Sequence, residues 1–447
     1  MKKAIEPDNI FQFKCMREPL TLQDAIRESN RCLLCFDAPC SNGCPAGTNP
    51  GRFIRQIKFY NYKGAARTIR QNNILGSICA FVCPVEKLCE KECSVKALED
   101  PINISGLQRF ATEYGKQFNL EPLPKSTKKK GKIAIIGCGP AGMGCASKLA
   151  KLDYDVTIFE RETKAGGVPL WNIPEFRLPE FALTYDVDNL LSQGVDIRYD
   201  TFIGSVEAVK TMLSDGFQAI FISTGLSEAF KLDMYTGYNN ALNYISFLRK
   251  VKFYRSSFDL KNKNIAVIGG GSVAIDSAVS AKACGANKVY LLSLEQMEEL
   301  PADVEEIHLA RTMNIIFKAG CQITTVIAKE KTITGLTGTE VEWIENGKFS
   351  PSNARRIEGT AFSINVDLVV QAIGTKPGLE IAKFSKDLKT KGKGIIEVTE
   401  FFETSIAGVF AGGDVTNGGM TVVQAVREGK KAAASIDTFL KNGGHKS

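Results

Sequence analysis

Hydrophobic residues follow two different patterns along the chain, and the pattern changes near the basic run 125–132. Before this run, segments such as 21–35 and 102–118 place apolar residues at helical spacing. After it, short apolar runs lead into glycine turns or helical stretches, and these runs are 132–137, 155–160, 219–224, 264–269, 288–292, 367–373 and 407–412. The sequence therefore predicts a mainly helical N-terminal domain followed by buried parallel strands in βαβ units.

The first of these strands runs into a complete G-x-G-x-x-G turn. Its residues are Gly137, Cys138, Gly139, Pro140, Ala141 and Gly142. The glycines permit a tight turn, a close approach to a pyrophosphate, and packing of the next helix on the strand. Glu160 ends the next strand, 23 residues after Gly137, where a carboxylate binds a ribose hydroxyl. The turn predicts a dinucleotide site.

A second turn follows the strand at 264–269 and fits G-x-G-x-x-A. Its residues are Gly269, Gly270, Gly271, Ser272, Val273 and Ala274. The strand after it ends near Glu295, with no arginine there to pair with a 2′-phosphate. This site is predicted to prefer NAD over NADP.

The segment AGGDV near the C-terminus points to a flavin as one of the two nucleotides. Gly413 and Asp414 end a strand, and a helix is predicted from Thr421 to Leu440. The acid can bind a polyol hydroxyl, and the helix N-terminus can face the electron-rich edge of a flavin. A plain N-cap is the alternative role of Asp414.

Composition and charge exclude several classes of protein. The 447 residues are 44% hydrophobic and 23% charged, as in globular proteins. No apolar run reaches the ~18 residues of a membrane span, and the N-terminus lacks the apolar core of a secretory signal. Much of the net charge of +7 comes from the 125–132 run, which we interpret as a solvated linker, so we expect no nucleic-acid partner. Without a membrane span or a secretory signal, we expect a cytoplasmic protein with no membrane partner.

Cysteine is concentrated at the N-terminus, where nine of the 13 cysteines lie before residue 100. Eight form two groups, listed as Cys32, Cys35, Cys40 and Cys44, then Cys79, Cys83, Cys89 and Cys93. Sets of four thiolates suit [4Fe–4S] clusters or zinc, and the spacing does not separate the two. The dinucleotide turns favour iron–sulfur, because a flavin needs a one-electron acceptor.

These cysteine segments, together with INISGLQRFATEYG and GVFAGGDVTNGGMTVVQAVREGKKAA, closely resemble the N-terminal half of dihydropyrimidine dehydrogenase. The resemblance covers nearly the whole chain and fits the small NAD-linked subunit of the bacterial enzymes. It implies an α/β protein with a helical two-cluster domain and two Rossmann-like domains of the disulfide-reductase flavoprotein type. The predicted domains are 1–125 for the clusters, 131–260 with 375–447 for FAD, and 261–374 for NAD.

The resemblance also implies a set of ligands. One cluster would be held by Cys44, Cys83, Cys89 and Cys93, and the other by Cys32, Cys35, Cys40 and Gln108, with Cys79 outside both. To FAD it adds Gly166, Gly167 and Arg177, and to the nicotinamide site Ala372, Ile373 and Gly374. NADP-dependent relatives carry arginines where this chain has Leu294 and Pro301, which agrees with the prediction of NAD.

The implied activity is electron transfer from NADH through FAD and two [4Fe–4S] clusters to an FMN-containing, pyrimidine-reducing partner subunit. No acid–base catalytic residue is expected, since hydride transfer is the chemistry of the cofactors. A glutamate synthase small subunit, or another NAD(P)H-dependent flavin and iron–sulfur oxidoreductase, is the alternative enzyme. A non-catalytic scaffold is disfavoured by the intact glycines, Glu160 and Asp414.

Overall fold

The computed structural model describes residues 15–118, 120, 129–254, 258–378 and 387–444. Its α-helices are α1 Leu22–Asn30, α2 Pro39–Asn42, α3 Pro50–Lys58, α4 Tyr62–Asn72, α5 Gly76–Val82, α6 Ile104–Gln117, α7 Pro140–Ala150, α8 Val168–Trp171, α9 Glu180–Leu191, α10 Val206–Ser214, α11 Tyr244–Phe253, α12 Ser272–Ala283, α13 Val304–Thr312, α14 Asp414–Asn417 and α15 Val422–Lys441. Short 3₁₀ turns span Val85–Lys87, Ser94–Ala97, Asp233–Tyr235, Met297–Glu299 and Pro351–Asn353.

The strands are β1 Lys132–Ile136, β2 Asp155–Phe159, β3 Asp196–Arg198, β4 Phe217–Ile222, β5 Glu228–Ala229, β6 Ala241–Asn243, β7 Asn264–Ile268, β8 Lys288–Leu292, β9 Ile316–Lys318, β10 Cys321–Lys329, β11 Thr332–Trp343, β12 Ala354–Arg356, β13 Phe362–Asn365, β14 Leu368–Gln371, β15 Thr375–Lys376, β16 Thr390–Lys391, β17 Ile395–Ile396 and β18 Val409–Ala411. The seven apolar runs of the sequence analysis are β1, β2, β4, β7, β8, β14 and β18, and each is confirmed as a strand.

The chain divides into two compact units. The larger contains residues 17–170, 177–228 and the described residues from 376 onward, and the smaller contains the described residues of 15–16, 171–176 and 229–375. Most of the predicted cluster domain and most of the predicted FAD domain thus lie in the larger unit.

The N-terminal part of the larger unit is helical, as predicted. Helix α1 starts at a capping box, in which Thr21 Oγ1 accepts from the Asp24 N–H at 3.1 Å and the Asp24 carboxylate accepts from the Thr21 N–H at 3.3 Å. Phe53 and Ile57 of α3 are buried against Leu107 of α6 in one apolar core. Cys32, Cys40, Cys89 and Cys93 pack against the edge of this core.

A five-stranded parallel sheet forms the rest of the larger unit, in the order β18-β4-β1-β2-β3. The central strands β1 and β4 and the strand β18 are mostly buried because helices cover parallel sheets on both faces, whereas the edge strand β3 is largely exposed. A buried carboxylate joins the helical part to α9: Asp186 accepts from the Ser77 N–H at 3.2 Å and the Ile78 N–H at 2.9 Å. Burial raises the pKa of Asp186 well above its usual range. Its two bonds cap the first turn of α5, the helix that leads to Cys83.

The smaller unit has a second parallel sheet, in the order β6-β14-β7-β8-β9, and an antiparallel sheet of β10 to β13. Successive residues of its strands face opposite sides. Ile265 and Val267 join one buried cluster, and Ala266 between them joins another. The antiparallel sheet was absent from the sequence analysis.

The main segment of the smaller unit begins at Ala229, whereas the predicted nicotinamide domain begins at 261. The reason is the strand β6, which pairs in parallel with β14 and brings α11 with it onto the second sheet. Residues 229–260, predicted to belong to the FAD domain, therefore lie in the smaller unit.

Candidate functional site

The first glycine turn lies between β1 and α7 and has room only for glycine at two positions. Gly137 has φ +100°, and a Cβ there would lie 2.7 Å from the Ser223 carbonyl oxygen. A Cβ on Gly142 would overlap the Gly137 carbonyl oxygen. Gly139 caps α7 and has open space where its Cβ would stand. The helix N-terminus is therefore exposed to a ligand's phosphates.

Glu160 lies at the carboxyl end of β2 and reaches back to this turn. Its carboxylate is buried, with Oε2 accepting from the Cys138 N–H at 2.7 Å and Oε1 accepting from the Glu162 N–H at 2.9 Å. The turn and the acid that the sequence analysis paired are brought into direct contact.

The loop that carries Gly166 and Gly167 closes over the same turn. The Gly166 N–H donates to the Cys138 carbonyl at 2.9 Å. Gly167 has φ +57°, and a Cβ there would lie 2.9 Å from Gly139 Cα. Arg177 follows in the same unit and is partly buried.

The C-terminal segment meets the turn from the other side. Gly413 has φ +81°, and a Cβ there would lie 2.7 Å from the Ala141 Cβ. Asp414 begins α14, accepts from the Met420 N–H at 3.1 Å, and has a pKa raised by burial. Thr421 caps α15 through a reciprocal pair of hydrogen bonds with Gln424. Asp414 thus lies at a helix start and also beside the first turn.

Thr224 is a residue of this site that the sequence analysis missed. It follows β4, and its Cα lies 3.4 Å from where a Cβ of Gly137 would stand. Its Oγ1 is buried and has no hydrogen-bond partner among the described residues. A buried hydroxyl without a partner is costly, so it fits a position where a bound ligand supplies the partner. The string Ser223-Thr224-Gly225 after a strand was the available signal.

The open cradle at Gly139, the Glu160 carboxylate and the Thr224 hydroxyl together fit a dinucleotide such as FAD. Backbone N–H groups would receive the pyrophosphate and the carboxylate would receive ribose hydroxyls.

The second glycine turn, in the smaller unit, repeats this construction. Gly269 has φ +134°, and a Cβ there would overlap the Ala372 carbonyl oxygen. Gly271 caps α12. Ala372, Ile373 and Gly374 follow β14 as Ser223 and Thr224 follow β4.

Glu295 and Pro301 both lie at this second turn. The Glu295 Oε2 is 3.1 Å from where a Cβ of Gly270 would stand, and Pro301 Cγ is 3.9 Å from the corresponding point on Gly271. An acidic and an apolar side chain thus flank the turn, which fits a ribose diol better than a 2′-phosphate.

The cysteines of the helical part line two cavities, named here cavity A and cavity B. Cavity A is lined by Cys32, Cys35, Cys40 and Cys93. Cavity B is lined by Cys44, Cys79, Cys83, Cys89 and Gln108. Their atom-free volumes are similar, about 390 and about 400 Å³, so they offer comparable room.

This arrangement differs from the predicted division of ligands. Cys93 was grouped with Cys44, but it lines cavity A together with Cys32 and Cys40. Gln108 was grouped with Cys32, but it lines cavity B. The exchange arises because the 3₁₀ turn after Cys93 packs against the Cys32–Cys40 loop, with Cys35 Sγ 3.4 Å from Ser94 Oγ.

Gln108 is buried on α6 and is oriented by its amide nitrogen. Nε2 donates to the Gly76 carbonyl at 2.7 Å, so the amide oxygen is the end with ligand character. Cys79 Sγ accepts from Asn73 Nδ2 at 3.2 Å. Cavity B therefore has five potential ligands, one more than a four-ligand cluster needs. Cys79 is the one whose sulfur already accepts a hydrogen bond from Asn73.

Burial disfavours the thiolate form of several of these cysteines. It raises the pKa of Cys40 to about 11, and it raises the pKa values of Cys44 and Cys89. The neighbouring Cys79 is the leading cause of the raised pKa of Cys83. Metal binding to such thiols releases their protons, and the positive charge of the metal stabilises the thiolates that burial disfavours. Two sets of buried or half-buried donors, at least four around each cavity, fit iron–sulfur clusters.

No three His, Cys, Asp or Glu side chains in the described ranges converge closely enough to hold a single metal ion. No helix in the described part of the chain has the length and apolar character needed to cross a membrane.

Comparison with family models gives two matches. Residues 131–429 match the pyridine nucleotide-disulphide oxidoreductase family. Residues 9–120 match the model described as dihydropyrimidine dehydrogenase domain II, 4Fe–4S cluster.

Curated relatives match along almost the whole chain. The NAD-dependent dihydropyrimidine dehydrogenase subunit PreT of Escherichia coli (strain K12) is 35% identical over 93% of this chain and 94% of its own length. The homologue from Salmonella typhi is 33% identical with the same coverage. The NADP(+)-dependent formate dehydrogenase subunit beta of Moorella thermoacetica is 32% identical over 91% of this chain and 60% of its own length.

Solved structures show the fold. The thioredoxin reductase of T. acidophilum aligns with a TM-score of 0.52 and 21% identity, over 70% of this chain and 100% of that one. FprA from Mycobacterium tuberculosis aligns with a TM-score of 0.58 and 14% identity, over 70% and 85%. The predicted fold class, a helical cluster domain followed by a disulfide-reductase-like flavoprotein, is confirmed.

Proposed function

Because the chain belongs to the pyridine nucleotide-disulphide oxidoreductase family, we propose that it moves electrons from NADH through FAD and two [4Fe–4S] clusters to a pyrimidine-reducing partner subunit. The family matches and the relatives identify the chain as a subunit of an NAD(P)H-linked flavin and iron–sulfur oxidoreductase. When bound, FAD accepts a hydride from the nicotinamide and releases electrons one at a time.

One observation supports the proposal: helix α15 packs on α7 beside the first glycine turn and also lines cavity B. Its N-cap, Thr421, follows the Asp414 segment beside the first glycine turn. Val423, two residues later, lines cavity B. A single helix turn therefore separates the predicted flavin site from a cavity lined by cysteines, which is the arrangement that electron transfer between them requires.

The chain's own residues hold and orient the flavin in this proposal. Gly139 and the start of α7 bind the pyrophosphate, and Glu160 accepts the ribose hydroxyls. Asp414 accepts a hydrogen bond from a hydroxyl of the ribityl chain, and the bound flavin supplies a hydrogen-bond partner for the Thr224 hydroxyl. Gly166, Gly167 and Arg177 remain candidate flavin contacts from the family pattern.

NADH is the proposed electron donor, bound at the second turn. Backbone N–H groups at Gly271 to Val273 face its pyrophosphate, and Glu295 accepts hydrogen bonds from the ribose. Ala372, Ile373 and Gly374 border the turn from the neighbouring strand end. Nothing in this scheme needs an acid or base, since the hydride passes between the two cofactors.

Two clusters are proposed, one in each cavity. Cys32, Cys35, Cys40 and Cys93 hold the cluster in cavity A, and Cys44, Cys83, Cys89 and Gln108 hold the cluster in cavity B. The 4Fe–4S family match covers all eight residues. The curated relatives named as subunits support a hetero-oligomer.

The proposed partner is an FMN-containing subunit that reduces pyrimidines, and the proposed location is the cytoplasm, where NADH is available and free thiols persist. The formate dehydrogenase relative shows that a similar chain also serves another enzyme, so the partner decides the final acceptor.

Anaerobic co-purification from the native source tests the function. We expect NADH to reduce the flavin, a one-electron dye to be reduced in turn, and a co-purifying FMN protein to convert uracil to its 5,6-dihydro form with NADH. Dye reduction with a partner of another activity would redirect the proposal to that partner. Failure of NADH and NADPH to bleach the bound flavin would refute it.

A further inference from the structure

Three consecutive residues of α15 contact three different parts of the larger unit. Glu428 accepts from the Gly413 N–H at 2.7 Å and from Asn417 Nδ2 at 2.9 Å. It thereby holds the C-terminal loop of the flavin site. Gly429 lies where α15 crosses α7, and a Cβ there would overlap the Ala141 carbonyl oxygen.

Lys430, the third of these residues, reaches into the cysteine-rich helical part. Its ammonium donates to the Ala46 carbonyl at 2.5 Å and to the Asn72 carbonyl at 2.6 Å. Ala46 is two residues after Cys44, and Asn72 ends α4. The side chain is partly buried, and its pKa is lowered by burial and raised by the nearby Cys44.

Lys430 lies on the face of α15 that borders cavity B. Val423 lines that cavity, and Lys430 stands seven residues later, which is two helical turns and the same face. The ammonium is therefore held by two carbonyl oxygens, one of them in the loop that carries Cys44, a residue that lines cavity B. No comparable contact ties α15 to cavity A in the described lining of that cavity.

We propose that Lys430 is a positioning residue that fixes the Cys44 loop against the flavin-bearing helix and raises the reduction potential of the cavity B cluster relative to the cavity A cluster. The inference rests on the proposed function, because it requires a cluster in each cavity.

The physical reason is that reduction adds negative charge to a cluster. A fixed cation nearby stabilises the reduced form more than the oxidised form, and cluster potentials respond to local charge and hydrogen bonding. Part of the cost of desolvating Lys430 is offset by its two carbonyl partners.

Lys430→Gln removes the charge and keeps an amide donor, Lys430→Ala removes both, and Lys430→Arg keeps the charge. Lys431→Gln is the matched control, since Lys431 is the next residue on the same helix and is exposed. The measurement is an anaerobic potentiometric titration followed by electron paramagnetic resonance, with iron and flavin content and Tm recorded for each variant.

We expect both neutral variants to lower the potential of the cavity B cluster. The electron-sharing equilibrium between the clusters should shift about tenfold, equivalent to ~59 mV for one electron. The cavity A cluster, the Lys430→Arg variant and the Lys431→Gln variant should keep their wild-type potentials. If one neutral variant does not fold, the other measures the same quantity.

Neutral variants with full iron and unchanged cavity B potentials would overturn the inference and leave the proposed function intact. An equal shift of both clusters, or a loss of Tm without a shift, would also overturn it and reduce Lys430 to a packing residue. Wild-type protein that binds no iron or no flavin would instead refute the proposed function.

Discussion

The backbone N–H of Cys138 donates a hydrogen bond to the Glu160 carboxylate, with 2.7 Å between the nitrogen and Oε2. The contact joins the middle of the first glycine turn to the end of the neighbouring strand. It fixes the carboxylate at the edge of the site, where a ribose is expected to bind.

Glu160→Ala should therefore weaken FAD binding while the fold persists. The loss of the ribose hydrogen bonds is expected to cost ~1–3 kcal/mol. Fluorescence titration of the apoprotein with FAD measures the change in Kd, and Glu162→Ala serves as a control because it keeps the backbone N–H that donates to Glu160. Unchanged FAD affinity in Glu160→Ala would remove Glu160 from the site, and a preference for FMN would contradict the dinucleotide turn.

The clusters should give about eight irons per chain after anaerobic purification, since each of the two contains four. Cys93→Ser should disturb the cluster that Cys32→Ser disturbs, and the double variant should lose no more iron than either single variant. Gln108→Leu should instead alter the other cluster. Iron analysis and electron paramagnetic resonance distinguish the two.

Cys79→Ala is the control for these cluster variants, and we expect it to keep both clusters. Additive losses for Cys32→Ser and Cys93→Ser would show that the two residues serve different clusters. Stoichiometric zinc with negligible iron would show that neither cavity is an iron–sulfur site.

NADH should be a better substrate than NADPH by at least about tenfold in kcat/KM, equivalent to ~1.4 kcal/mol. Glu295 lies beside the second turn, where its charge repels a 2′-phosphate. Leu294→Arg should narrow the preference by offering a guanidinium, and Glu295→Gln should narrow it by removing the repulsion. Both nucleotides are compared with an artificial acceptor. A wild-type preference for NADPH would mean that another basic residue, such as Lys263 or Lys288, reaches the phosphate.

Lys151 gives the protein a predicted alkaline pH dependence. Its ammonium donates to the Gln71 carbonyl at 3.1 Å, and desolvation with repulsion from Lys430 and Lys148 lowers its pKa to about 8. An unfolded lysine titrates near ~10.4, so the unfolded chain binds more protons between these values. This residue's contribution to stability should therefore rise from pH ~8 to ~10.4.

Lys151→Gln should remove that contribution. Below pH ~8 the free energy of unfolding of the variant should equal that of the wild type or be slightly higher. The difference should be well under about 1 kcal/mol, because solvent screens the charge of an exposed lysine. Denaturant unfolding at pH 7 and pH 10 measures the difference between the two proteins. A difference that does not change with pH would show that Lys151 titrates normally.

Local sequence was sufficient for the two nucleotide turns and the seven strands around them. At Gly137 and Gly269 the backbone has positive φ, a conformation that favours glycine over other residues and that the tight turn directly after each strand requires. The same holds for Thr421 and Gln424, whose capping pair lies within one helical turn. Short-range constraints of this kind survive in the sequence as motifs.

Only the tertiary structure assigned the cysteines to cavities. Cys93 and Cys32 line the same cavity although they lie 61 residues apart in the sequence, and Gln108 and Cys44 do so although they lie 64 apart. Their neighbours therefore depend on how the helices of this part pack together. The same applies to Thr224, whose position beside Gly137 follows from the parallel pairing of β1 with β4, and to Lys430, which meets Ala46 from the far end of the chain. A side chain's type is local information, but its partner is chosen by the burial of apolar surface over the whole unit, which no short motif records.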